Sequence, residues 1–261
     1  MAISLEDIKN TGIKAAYGSA DILRSHLGKL GNIQKKGPKD LVTEADIESE
    51  KQIIETIRKK FPDHDILAEE SGSSIHGDAE YQWVIDPLDG TTNFAHQVPF
   101  FSVSIAFAVS GEIQVGIVLN PVSGELFTAV KHNGAQLNGH TINVSSCQSI
   151  SESLLVTGFP YDVKQDSRPY MVRFENMLNA AIGIRRLGSA ALDLCYVACG
   201  RFDGFWEEHL HPWDTAAGVL IAEEAGARIT DFLGNSYTID KPEILATNGH
   251  IHDDVRKLLN L

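Results

Sequence analysis

Cysteine is scarce in this chain. Its 261 residues include three, Cys147, Cys195 and Cys199, and an odd, sparse set is not a disulfide framework. Cys195 and Cys199 are four apart and would share a helix face. No further cysteine or neighbouring histidine completes a zinc pattern, so all three read as buried, inert thiols. Long apolar runs are also missing, and no stretch approaches the roughly 18–20 residues of a membrane span. The N-terminal MAISLEDIKN carries acids where a secretory signal needs an apolar segment. A cytoplasmic location is the default. Basic residues are outnumbered, 22 against 35 acidic, for a formal net charge of −13. That balance argues against direct nucleic-acid binding, which leaves a basic footprint, and against an anionic membrane surface. It leaves room for an anionic small molecule if carboxylates first collect divalent cations. There is no Walker A sequence, no GxGxxG after a strand and no GxSxG elbow. Gly188-Ser189 begins a predicted helix but has no assignable base.

The length suits one large domain or two small ones. The first third reads as helical. Leu5, Ile8, Ala15, Ala16, Leu23 and Leu27 recur at helical spacing over 5–27, with Ser4 as N-cap, although Gly12 and Gly18 weaken that pattern. A second helix, 44–60, would turn Ile47, Ile53, Ile54 and Ile57 inward and stop at Phe61-Pro62. Between the two helices GNIQKKGPKD, residues 31–40, is a polar loop or hairpin. Strands are expected at 65–68 and 82–86. FSVSIAFAV (101–109) and EIQVGIVL (112–119), joined by Ser110-Gly111, form an antiparallel hairpin, followed by a strand at 124–130. The second half alternates strands near 154–158, 184–187, 203–206, 227–231 and 243–247 with helices near 170–181, 189–200, 214–225 and 251–260. Helices mixed with antiparallel hairpins indicate α+β or layered α/β rather than a doubly wound sheet. We expect a single unit over 1–261. A subdivision into 1–148 and 149–261 is the alternative, marked only by Ser145, Ser146 and Ser149.

The chemistry concentrates in WVIDPLDGTTNF, residues 83–94. Asp86 ends a predicted strand, and Asp89 follows a Pro87-Leu88 turn that aims both carboxylates, with the Leu88 carbonyl, into one pocket. Gly90 leaves backbone room for a ligand. If Thr91-Thr92-Asn93 opens a helix, its free N–H groups suit a phosphate. The competing reading is an Asx turn capped by one of the two acids. Glu69-Glu70 after ILA is either a solvated loop or a second source of carboxylates. Asp214 in HPWDTAAGVLIAEEAG is either a helix cap or a ligand, and one carboxylate can serve as both. In DLVTEAD, Asp46 is either the third helical residue of a capping box with Thr43 or a buried acid that orients a hydroxyl. His209 and His211 are read as surface or supporting residues, because magnesium rarely recruits imidazole.

Taken together, DLVTEAD (40–46), EES (69–71), WVIDPLDGTTNF (83–94), GSAALD (188–193), PWDTAAG (212–218) and EAG (224–226) resemble the inositol monophosphatase family, the magnesium-dependent, lithium-sensitive phosphatases. The resemblance spans nearly the whole chain in order and spacing. It implies a layered α-β-α-β-α sandwich of the sugar-phosphatase type, assembled as a homodimer. It also implies two or three Mg2+ ions. Glu69, Asp86 and the Leu88 carbonyl would hold the first, and Asp86, Asp89 and Asp214 the second. Glu69 and water would hold a looser third. Thr91, oriented by Asp46, would position or activate the attacking water. Gly90 and Thr91 amides would bind phosphate, and Asp89, Ala190 and Glu207 would meet the substrate's ring hydroxyls near Asp214. The loop around Lys35 and Lys36 would be the mobile loop of the active site.

The implied activity is hydrolysis of inositol monophosphate, or another small phosphorylated polyol or sugar, by metal-activated water. Fructose 1,6-bisphosphate, histidinol phosphate and 3′,5′-nucleotides are alternatives within the family. A protein-binding role with the transcription machinery is an alternative of another class. Two departures stand out. Ala227 replaces the second glycine of the family's EAGG, which would strain the backbone if φ were positive. An extra acid, Glu208, and His211 stand beside the presumed site, where they would retune the sugar pocket.

Overall fold

The computed structural model describes residues 4–29, 33–35, 41–74, 80–160 and 163–260. Helix α1 (Leu5–His26) starts where expected, with Ser4 Oγ accepting from the Asp7 amide at 3.3 Å. Its two glycines have a packing reason. A Cβ on Gly12 would sit 2.3 Å from Ile117 Cδ1, and one on Gly18 2.0 Å from Gln52 Nε2. They let the helix lie close on the sheet and on α2 (Glu44–Arg58).

The expected apolar side of α2 needs a correction. Ile53 and Ile57 are buried, but Ile47 is 53% exposed. The buried stripe instead carries Asp46, Ser49 and Glu50. Hydrophobic spacing misleads here because part of the inward face is polar. Glu50 accepts the Glu70 and Ser71 amides at 2.8 and 2.9 Å, and Ser49 donates to the Pro87 carbonyl at 3.2 Å.

Strands β1 (Ile33–Lys35) and β2 (Leu41–Thr43) pair as an antiparallel ribbon, so residues 31–40 include one arm of a hairpin. Lys36 and Asp40 lie outside the described residues. An eight-stranded sheet follows. It comprises β3 (Asp65–Ala68), β4 (Gly72–Ser74), β5 (Tyr81–Asp89), β6 (Ser102–Val109), β7 (Glu112–Leu119), β8 (Leu126–Val130), β9 (Ala135–Leu137) and β10 (His140–Ile142), in the order β10-β9-β8-β7-β6-β5-β3-β4. Ser110 and Gly111 join β6 to β7, both with positive φ (50° and 81°), as a tight hairpin turn requires. Strand β5 runs on past 86. Pro87-Leu88 is not a turn that ends it but an irregularity in its pairing with β6, between Asp86 and Asp89. A bulge of this kind re-aims side chains without ending the strand.

The short α3 (Thr91–Ala95) follows β5. The second sheet holds β11 (Leu154–Thr157), β12 (Gly183–Arg185), β13 (Gly204–Glu208), β14 (Arg228–Thr230) and β15 (Glu243–Thr247), in the order β12-β11-β13-β15-β14. Its helices are α4 (Arg168–Ala180), α5 (Ala190–Ala198), α6 (Pro212–Glu224) and α7 (His252–Leu259).

Side-chain alternation along the strands sets the layers. Trp83 and Ile85 of β5 pack with Ile8, Ala16 and Ile53 of α1 and α2. Val84, between them, packs with Leu192, Ala217 and Ile221 of α5 and α6. In β13, Phe205 joins Leu194 and Val219 on the α5–α6 side. Trp206 joins Met177 of α4 and Val255 of α7. The result is an α-β-α-β-α sandwich of mixed sheets. Gly116 lets α6 seat close on the first sheet, since a Cβ there would be 2.6 Å from the Ala217 carbonyl.

Three smaller expectations resolve as well. Ala227 is not among the residues with positive φ; Gly226 takes that conformation at 96°, so the alanine carries no strain. Cys195 is buried, but Cys147 and Cys199 are only partly so, and all three are free thiols. Burial pushes the Cys195 and Cys199 thiols up, which keeps them poorly nucleophilic. Among the described residues no helix is long and apolar enough to cross a membrane.

Candidate active site

Strands β3 and β5 are parallel, with Ala68 beside Ile85. The next residue of each is an acid, so the pairing delivers Glu69 and Asp86 side by side, and the Glu69 amide donates to the Ile85 carbonyl at 3.2 Å. Asp86 in turn pairs with Ser104 of β6. Ser104 Oγ donates to the Trp213 carbonyl at 3.3 Å, which fixes the first turn of α6 over the sheet and brings in Asp214. Asp214 Oδ2 accepts the His211 amide at 2.7 Å. It is therefore a helix cap as well as a site residue, with its other oxygen outside the cap.

Asp89 is held most firmly. Its Oδ2 accepts from Ser189 Oγ at 2.6 Å, the Ala191 amide at 2.9 Å and Ser102 Oγ at 3.4 Å. The bulge after Asp86 lets Asp89 face this cluster. Thr91 Oγ1 donates to the Leu88 carbonyl at 3.1 Å. Gly90 has φ 98°, and a Cβ there would meet the Gly188 carbonyl at 3.0 Å and Phe101 Cβ at 3.2 Å. A side chain at Gly90 is thus excluded by the Gly188 turn and Phe101, while Gly90 itself lines the cavity.

Glu69, Asp86, Leu88, Asp89, Gly90, Thr91, Ala190, Glu207 and Asp214 line one cavity of about 270 Å³. Of the residues singled out in the sequence as catalytic, binding or ligating, Asp46 is the one not on its wall. It is buried on the first turn of α2, three residues from Ser49, which is bonded to Pro87. The cavity also takes in residues that sequence reasoning missed, notably Phe159, Arg186 and Ser189. Ser189 had a signal, the GSAALD motif, but its role shows only in the contact with Asp89. His209 and His211 are exposed as expected, yet both reach the rim. His211 stacks on Trp213 with centroids 4.9 Å apart. Glu208 is held by Arg173 of α4 at 2.9 Å.

The electrostatics are those of crowded negative charge. Burial pushes the Asp86 carboxyl well above the usual range, and Glu69, Asp89, Asp214 and Asp46 add to the shift. Burial likewise raises Asp214, with a further contribution from Asp89. Burial raises Asp89 to about 6 against the opposing pull of its Ser189 and Ala191 hydrogen bonds. Glu207 is pushed up to about 8 by burial, with Arg186 opposing and Asp89 reinforcing.

Among the described residues no three Asp, Glu, His or Cys side chains close into a ready-made cage for a cation. The donor set nevertheless fits a hard divalent ion. It is all oxygen, it gathers four carboxylates on one cavity, and magnesium typically uses one or two carboxylates and completes its shell with water and substrate phosphate.

Comparison with known proteins agrees with the motifs. The sequence profile described as the inositol monophosphatase family matches residues 4–260. Inositol-1-monophosphatase from Synechocystis sp. is 47% identical over 233 residues, covering 89% of this chain and 81% of that protein. Nus factor SuhB from Escherichia coli (strain K12) is 42% identical over 244 residues, covering 93% and 91%. The crystal structure of extragenic suppressor protein suhB from Bartonella henselae superimposes with a TM-score of 0.93 at 40% identity, covering 97% of this chain and 98% of that one. Inositol monophosphatase from Anabaena (Nostoc) sp. gives 0.89 at 44% identity, covering 98% and 96%. Matched in sequence from residue 4 to residue 260 and in fold over nearly its whole length, the chain belongs to the inositol monophosphatase family.

Proposed function

We propose that the protein is a magnesium-dependent phosphomonoesterase of small phosphorylated polyols, with inositol monophosphate as the lead substrate. The observation that carries this reading is the meeting of Glu69, Asp86, Asp89 and Asp214 in one cavity that Gly90, Thr91 and Ala190 also line. Glu69, Asp86 and the Leu88 carbonyl would hold one magnesium, and Asp86, Asp89 and Asp214 a second, with a looser third beside Glu69. Bound there, the ions supply a Lewis acid for the phosphoryl oxygens and lower the pKa of water.

The remaining work falls to the chain's own residues. The Thr91 hydroxyl keeps lone pairs to accept a proton from the attacking water. Its own proton goes to the Leu88 carbonyl, and would turn to Asp46 when that carbonyl is engaged elsewhere. Asp46 is suited to this by its burial and by its place on the helix turn that Ser49 ties to Pro87. The Gly90 and Thr91 amides would bind phosphate. Glu207, buried beside Asp89 and lining the same cavity as Ala190, would meet a ring hydroxyl of the substrate.

The test is phosphate release from a panel of polyol, sugar, histidinol and nucleotide phosphates, with and without magnesium. Magnesium-dependent release from inositol monophosphate, inhibited by lithium, is expected. A faster ester of another class would reassign the substrate, and no turnover of any ester would sink the enzyme reading.

The SuhB relatives named Nus factors support a second reading, a binding role with the transcription machinery that could coexist with catalysis. No site carboxylate is replaced, which favours the enzyme. Association of the protein with purified RNA polymerase, unaffected by loss of catalysis, would support the binding role.

The homodimer belongs to the proposal too. Met171 and Leu178, one heptad apart on α4, and Ile182 just beyond it are 43%, 54% and 72% exposed, apolar surface of the kind that marks an interface. Sedimentation should give a dimer that Ile182→Glu weakens; an unchanged dimer would place the interface elsewhere.

A further inference from the structure

Strand β13 delivers two acids in succession, Glu207 and Glu208, and both line the carboxylate cavity. Alternation sends their side chains to opposite faces. Trp206 packs with Met177 of α4 and Val255 of α7, so Glu208, two residues on, takes the α4 side, while Glu207 takes the face of Phe205. By itself Glu208 is badly placed. Glu243 is its register partner on β15, and like charges directly opposite repel. The acids of the cavity stand on its other side.

A single cation offsets this. Arg173 Nη1 donates to Glu208 Oε2 at 2.9 Å, and the pair is shielded, with side chains 17% and 15% exposed. Arg173 is itself fixed at two further points. Its Nε donates to the Leu259 carbonyl at 2.9 Å, at the last residue of α7, and its guanidinium lies 5.3 Å from the centre of the Phe232 ring. A helix C-terminus and an aromatic face both favour a cation. Just past Glu208, His209 takes a left-handed φ of 62°, and its amide donates to the Pro242 carbonyl at 2.5 Å. Its ring meets Tyr170 of α4, with centroids 6.5 Å apart. Helix α4 thus grips the chain beyond Glu207 at two successive residues. Removing one partner of a shielded ion pair leaves the other charge uncompensated. Here that charge would be an acid on the wall of a cavity that already gathers Glu69, Asp86, Asp89 and Asp214.

We propose that Arg173 is a positioning residue for substrate binding, which holds the Glu208 carboxylate out of the path of the substrate phosphate. This rests on the phosphatase reading and adds to it a residue of α4 that is not itself on the cavity wall. With the pair intact, Glu208 brings no net charge to the cavity mouth. With Arg173 removed, Glu208 becomes a free anion, repelled by Glu243 towards the cavity, where it opposes a phosphate dianion.

The test is the steady-state hydrolysis of inositol monophosphate by the wild type, Arg173→Ala, Arg173→Lys and the double variant Arg173→Ala/Glu208→Ala. Arg173→Ala should raise KM on the order of tenfold, the scale of one added charge near a protein surface, with the change in KM rather than kcat. The rise should shrink at high ionic strength. Arg173→Lys keeps the charge and should retain most of the affinity. The double variant removes the stray acid together with its partner and should recover most of the wild-type KM, although it has lost more contacts. A merely structural role for Arg173 gives the reverse, a double variant no better than the single one. That result, or a KM unmoved in Arg173→Ala, would overturn the proposal while leaving the phosphatase reading intact. If alanine loosens α7, Arg173→Gln, which keeps a donor for the Leu259 carbonyl, carries the same comparison with and without Glu208→Ala. A wild type that cleaves no ester would overturn both.

Discussion

Gly158 follows β11 where that strand runs parallel to β13, with Thr157 beside Trp206, and so lies against Glu207. A Cβ on Gly158 would fall 1.9 Å from Glu207 Oε1 and 2.1 Å from its Cδ. Because its φ is not in the left-handed region, the backbone accepts alanine and the whole effect falls on the carboxyl. Gly158→Ala should leave the fold intact, displace Glu207 and raise KM for inositol monophosphate by about tenfold with little change in kcat, the loss of one strong hydrogen bond. An unchanged KM would remove Glu207 from substrate recognition. At Asp89 the expected effect is on turnover. Asn keeps the shape and can still accept from Ser189 and the Ala191 amide, but it removes a ligand charge. Asp89→Asn should lower kcat by about 100-fold or more with unchanged circular dichroism. An active variant would end the two-cation assignment.

Helix α7 is fastened through its first residue. His252 is fully buried, with Nε2 3.0 Å from Thr230 Oγ1 of β14 and Nδ1 2.9 Å from Thr247 Oγ1 of β15. Burial, reinforced by Arg228, lowers its pKa from 6.5 to about 4. The folded protein thus resists a proton that the unfolded chain accepts below 6.5. Stability from this site is complete above that pH and is lost as pH falls from 6.5 towards 4, with a slope of up to about 1.4 kcal/mol per unit. Urea unfolding across this range should show the loss, and His252→Gln should flatten it. A slope that survives the substitution would place the acid sensitivity elsewhere. At the same scale, the β5 irregularity between Asp86 and Asp89 and the Gly116–Ala217 approach decide how the two site-bearing elements meet.

Across the whole molecule, the net charge of −13 is sharpest where Glu69, Asp86, Asp89 and Asp214 crowd together. Folding assembles that repulsion, and a cation that binds only the folded state relieves it. Magnesium at about 100 times its Kd should add roughly 2.7 kcal/mol, a rise in Tm of about 5 °C for a chain of this size. Scanning calorimetry with magnesium and with EDTA measures this shift, which should shrink in Asp89→Asn. A Tm insensitive to magnesium in the wild type would count against the site.

Local pattern was enough for much of this protein. Ser4 and the apolar spacing after it specify α1, Ser110-Gly111 specifies the β6–β7 hairpin, and Asp86, Asp89, Gly90 and Thr91 stand in one short segment whose chemistry can be read without coordinates. Such signals act between residues two to four apart. Other features depend on pairings between distant segments, which no short window contains. Parallel pairing of β3 with β5 sets Glu69 beside Asp86, and the Ser104 contact with Trp213 brings Asp214 across more than a hundred residues. The same tertiary contacts expose Ile47 while Asp46 and Glu50 go inward, and set the Gly188 turn against Gly90 so that no side chain fits there. The sequence by itself determined which groups are present and which elements carry them. Only the stacking of two sheets around α5 and α6 decided which of those groups share a cavity, because burial and register are properties of the packed whole.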